Sequence, residues 1–222
     1  MTEETKIRFK FIKIKEFKYL SHLETVRLII MAINRSKLDV KYSEGFNPNP
    51  RINFSFPVPV GLASIAEYSD IDIIGKQAPE NFKDRINIQF KENLKVLEAK
   101  NVSGKVPSLM GDINFCSYCF KLKDMDKNAE SRIKNDILSH PEFSSSIFRL
   151  TLNFHEIDSN IVNLNVIGYT KVLENNKIFK FNDFLKYFKY LSNNNDIVVE
   201  DYFKEEAYVL REGKLKTPLE IV

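Results

Sequence analysis

The chain has no tryptophan and is poor in the side chains that most often carry chemistry, with two cysteines and three histidines in 222 residues. Two thiols cannot build a disulfide framework, and they supply at most half of a four-ligand zinc site. They stand as Cys116 and Cys119 in FCSYCF, and the nearest histidine lies 21 positions further on, at His140. That segment alternates as a strand does, whereas redox CxxC pairs sit at a helix start that stabilises the thiolate. We therefore expect two ordinary thiols and no metal site. No CxxxCxxC and no glycine-rich nucleotide loop occurs, so the chain carries no motif for a cofactor of its own. No apolar run approaches the roughly 18 residues that span a bilayer. The opening MTEETKIRFK lacks the apolar core of a signal peptide. A cytoplasmic protein without a membrane partner is the expectation.

What is present is a globular composition, 43% hydrophobic and 28% charged, long enough for one large domain or two of about 100 residues. Net charge is only +3, yet residues 1–60 hold eleven Lys and Arg against six acids, a local balance of +5. A basic face suits a phosphate backbone, although lysine is also a common solubilising residue.

The periodicities alternate between strand and helix. IRFKFIKI places Phe9 and Phe11 on one face and Arg8 and Lys10 on the other. SHLE is a capping box at Ser21 and Glu24, and Val26, Ile29, Ile30 and Ile33 follow at helical spacing. YSEGFNPNPRINFSFPVPVG forbids a helix, and its Phe54 and Phe56 alternate as in a strand whose hairpin partner is AEYSDIDII. Pro79 opens a helix with Phe82, Ile86 and Phe90 inward, and KVLEAK closes a βαββαβ order.

After a boundary near NVSGKVPSLMG the order repeats. A strand over 113–122 precedes a helix with Ile133, Ile137 and Leu138 that stops before Pro141. A hairpin of Phe148, Leu150, Leu152 and Phe154 against Val162, Leu164 and Val166 turns at DSN. Asn182 or Asp183 then caps a helix with Phe184, Phe188 and Leu191 inward, followed by strands around IVV and AYVL. The pattern predicts an α+β protein of tandem ferredoxin-like lobes with antiparallel sheets, 1–104 and 105–222.

The densest region runs from Phe17 to Asp72, where prolines, glycines and polar residues crowd together as a plain packing loop does not require. Leu20, Ser21, His22, Leu23 and Glu24, followed by Tyr42, Ser43, Gly45 and Phe46, carry a resemblance to the radical SAM-linked protein family. LREGKLKTPLE is a weaker echo of it. Members of that bacterial family lie beside, or fused to, a cobalamin-binding-type radical SAM protein. Their genes often neighbour a ribonuclease G-type enzyme and ribosomal proteins. The resemblance thus implies an accessory protein whose partner is a radical SAM enzyme and whose context is RNA; cluster, cobalamin and S-adenosylmethionine would belong to the partner. Where relatives show His-Pro-His-Pro this chain has Asn47, Pro48, Asn49 and Pro50, and asparagine neither titrates nor binds soft metals well.

The candidate contact residues for nucleic acid or a partner are Lys10, Lys13, Lys18, His22, Tyr42, Ser43, Phe46, Asn47 and Arg51. Arg51 offers a planar donor fork at a proline turn, and Glu67 either packs the hairpin with Tyr68 or clamps the loop. Phe9, Phe11, Phe54 and Phe56 either form core or stack bases. Besides the RNA-associated accessory role, two readings stay open. One is a metal-independent endoribonuclease of the CRISPR repeat-processing type, using His22 and Tyr42; the other is a pure protein–protein adaptor.

Overall fold

The computed structural model describes residues 4–104, 106–125, 127–154, 161–173, 175–195 and 197–222. It is an α+β protein whose described strand pairs are antiparallel. The chain divides into two compact units, residues 1–113 with 207–222, and residues 114–206.

The first unit opens with β1 (Glu4–Lys13), whose alternation buries Ile7, Phe9 and Phe11 on one face. After a short 3-10 turn comes α1 (His22–Arg35), started by the capping box: the Glu24 N–H donates to Ser21 Oγ and the Ser21 N–H to Glu24 Oε2. Its buried stripe is Thr25, Ile29, Ala32 and Ile33. Val26 and Ile30 are only half-buried, a rotation of the helix from the expected face. The strand expected through Phe54 and Phe56 is short: β2 is Ile52–Phe54, ended by Ser55 and the prolines that follow. β3 (Ala63–Ile74), α2 (Pro79–Asn87) and β4 (Leu94–Val102) follow, with Pro79 at the helix start as expected, and then a single turn, α3 (Leu109–Asp112). The strand order is β4–β1–β3, with β2 on β3. Phe9, Phe11, Ile29, Ile33, Phe82 and Ile86 meet in one core, with Phe9 and Phe82 ring centroids 5.3 Å apart.

In the second unit β5 (Phe115–Lys123), α4 (Lys127–Ser139), β6 (Ile147–Phe154), β7 (Ile161–Tyr169), α5 (Phe181–Asn193) and β8 (Val198–Arg211) give the order β8–β5–β7–β6. The DSN turn expected between β6 and β7 lies outside the described residues. Phe120 packs on Phe184 and Phe188 of α5, whose buried residues include Leu191, as the periodicity predicts. Three details differ. Leu138 is exposed; the α5 cap is Lys180, with no side-chain cap bond, rather than Asn182 or Asp183; and Val198, Val199 and AYVL fall in one continuous strand. Cys116 and Cys119 are both buried and are not joined in a disulfide. Burial, aided by Glu205, pushes the Cys119 thiol up to about 11, the opposite of a redox thiolate.

The last residues of β8 rejoin the first unit. They turn through Glu212 and Gly213 into β9 (Lys214–Lys216). Arg8, wholly buried on the sheet face opposite Phe9, grips Asp70 through Nε at 2.7 Å and Nη2 at 2.9 Å. Its Nη1 donates to the Pro218 carbonyl at 3.2 Å, and Lys100 Nζ donates to that of Leu219 at 3.1 Å. The closing LREGKLKTPLE segment is therefore tied down by two of its carbonyls, one accepting from the donor that the bidentate Arg8–Asp70 pair leaves over and the other from Lys100. Among the described residues no helix is long and apolar enough to cross a membrane.

Candidate functional site

The crowded segment after α1 is a closed hairpin. Tyr42 and Pro50 bridge; the Ser43 N–H donates to the Asn49 carbonyl at 2.8 Å, and the Asn49 N–H returns to Ser43 Oγ at 3.1 Å. Asn49 Nδ2 also donates to the Asn47 carbonyl at 3.1 Å. The backbone of Asn49 and the Ser43 hydroxyl thus close the hairpin, and the Asn49 side chain braces its tip. Gly45 turns the tip at φ +130°, a conformation that side chains with a Cβ rarely adopt. This backbone holds Phe46 wholly in solvent, at 107% relative exposure, among exposed Glu44, Asn47 and Pro48.

His22, the first residue of α1, is exposed and meets Phe54 edge-on, with centroids 5.7 Å apart. It borders two clefts. One is narrow, with about 10 Å³ free, the space of a single water, and is lined by Lys13, Ser55, Glu67 and Tyr68. Lys13 and Glu67 are buried there: a register shift in the β1–β3 ladder between Phe11 and Lys13 marks the irregularity, Lys13 Nζ donates to the Leu20 carbonyl at 3.0 Å, and Ser64 Oγ donates to Glu67 Oε1 at 2.8 Å. The other cleft holds about 560 Å³ between His22, β2, Pro57 and the Ser108–Met110 turn.

The candidate residues therefore do not form one surface. Phe46, Asn47, Ser43 and exposed Arg51 gather at the hairpin. Lys10 lies over the Tyr68 ring and Lys18 over the Tyr19 ring, while burial removes Lys13 from any track open to phosphate. Tyr42 donates to Asn34 Oδ1 at 2.9 Å, near the end of the helix that His22 begins. Twelve residues of helix put these two ends roughly 18 Å apart, too far for a shared acid–base step. Phe9 and Phe11 are core rather than base platforms. Two features escaped the sequence reading: the buried Lys13–Glu67 neighbourhood, which depends on the register shift, and the cleft beside β2, which needs the later Ser108–Met110 turn. Among the described residues no cluster of three or more His, Cys, Asp or Glu could hold a metal ion.

The family model of DUF2344, described as an uncharacterized protein conserved in bacteria, matches residues 6–151. The chain belongs to this family. No curated protein matches the DUF2344 chain in sequence. Among solved structures, the crystal structure of a presumed glycine cleavage system transcriptional repressor covers 90% of this chain and 98% of its own, at 12% identity and a TM-score of 0.28. A likeness that loose carries no argument about function.

Proposed function

We propose that this DUF2344 protein is a non-catalytic, RNA-associated accessory component that works with a radical SAM enzyme, and that its contact element is the hairpin from Tyr42 to Arg51. The observation that carries the reading is the contrast at the tip: a backbone closed by three hydrogen bonds presents an aromatic ring entirely to water. An apolar ring held out on an ordered loop gains from contact with a partner, and a base offers a flat face to stack on it. Arg51 at the hairpin's foot supplies an exposed guanidinium for the adjoining phosphate. The radical SAM partner follows from the motif resemblance at Leu20–Glu24 and Tyr42–Phe46. The strand order of each unit supports reading the chain as tandem ferredoxin-like lobes.

The test is fluorescence anisotropy with a labelled single-stranded RNA at low salt. Phe46→Ala should weaken binding by about 1–3 kcal/mol, the worth of one stacked base. Arg51→Ala should weaken it and flatten the salt dependence, because one fewer counterion is released. His22→Ala should leave it unchanged. RNA cleavage in EDTA that disappears in His22→Ala would replace this reading with the endoribonuclease, and no affinity at low salt would leave the adaptor.

A further inference from the structure

The edge of β2 is open. In the β2–β3 ladder the Asp72 N–H donates to the Arg51 carbonyl at 3.1 Å and the Ser55 N–H to that of Tyr68 at 2.9 Å. Backbone groups alternate sides along an antiparallel strand, so Ile52 and Phe54 turn their N–H and C=O away from β3. Among the described residues β3 is the strand with which β2 pairs, which leaves the outer edge without a strand. That edge runs along the 560 Å³ cleft, with Phe54 and Pro57 on one wall and Leu109 and Met110 on the other. Proteins usually blunt such an edge with a charge, a bulge or a cover. This one instead faces a partly apolar trough.

We propose that the cleft takes an extended peptide segment of a partner protein by strand addition to β2. Backbone bonds to Ile52 and Phe54 hold the peptide, and one apolar side chain sits between Pro57 and Met110. Charge fixes the rest of the partner's chemistry. Among the described residues no acidic side chain lines the cleft; His22 stands on its border, and exposed Arg51 adjoins Ile52. Acidic residues flanking the apolar one complement that balance. A free nucleic acid fits less well, since unpaired backbone donors and acceptors in register match a peptide and not a phosphate chain. The inference goes beyond the RNA reading and does not rest on it: Arg51 borders both surfaces, but Phe46 belongs to the hairpin alone and Met110 to the cleft alone, so the two can fail separately.

The experiment selects binders to the full chain from a random linear peptide library and measures the enriched peptide by anisotropy and by amide hydrogen exchange. The expected consensus is an apolar residue flanked by acidic ones, with Ile52 and Phe54 amides exchanging freely alone and protected in the complex. N-methylation of alternate peptide amides should weaken binding roughly tenfold or more. Met110→Asp, at a half-exposed site where folding is not at stake, should do the same while RNA affinity stays unchanged. No enriched peptide, affinity indifferent to N-methylation and to Met110→Asp, protection of Ile52 and Phe54 already in the free chain, or a dimer of this chain formed through β2 would each overturn the proposal.

Discussion

The guanidinium of Arg8 is sealed from water and directs its donors to Asp70 and Pro218. Removing one partner of a buried pair strands the other charge, so Arg8→Ala should cost about 3–5 kcal/mol in urea unfolding. Replacing both partners with apolar residues should cost much less. The sequence placed Arg8 opposite Phe9 correctly but could not show that this face is covered, because the cover arrives more than 200 positions later at Pro218. The thiols were easier to read, since their alternating strand context needs no distant partner. Cys116 and Cys119 should resist Ellman's reagent in the native state and react on unfolding, because burial holds Cys119 protonated at any ordinary assay pH.

Among the elements, α1 was the most legible, since its start is written locally in Ser21 and Glu24. Two hydrogen bonds from Ser21 hold the Glu24 carboxyl below its usual range. A depressed folded-state value means that the contribution is present at neutral pH and is lost as pH falls through that lowered value. Ser21→Ala should remove about 1 kcal/mol of stability at pH 7 by chemical denaturation, and a smaller amount in strong acid where Glu24 is already protonated. The helix's buried face was less legible. Val26 and Ile30 fit the period as well as Thr25 and Ala32, and the twist of the sheet beneath chooses between them. The hairpin's prolines and Gly45 announced a fixed shape, yet only the Ser43–Asn49 bonds reveal that it points Phe46 outward.

At the scale of the whole chain, the alternation of elements was enough to anticipate mixed α and β structure with antiparallel pairing. The return of residues 207–222 to the first unit was not legible, because it is decided by contacts far apart in sequence. The candidate site behaved the same way. Ser43, Phe46 and Asn47, adjacent in sequence around Gly45, stay together in the hairpin, whereas Lys10, Lys13 and Lys18, spaced like one basic strip, face different surroundings in the fold. The proposed accessory role is tested most directly by coexpression with a radical SAM protein of the kind that the motif resemblance at Leu20–Glu24 and Tyr42–Phe46 implies, followed by purification of the pair and of this chain alone. The two should copurify, and the isolated chain should hold neither iron nor S-adenosylmethionine. Stoichiometric iron in the isolated chain, or no association between the two, would contradict it.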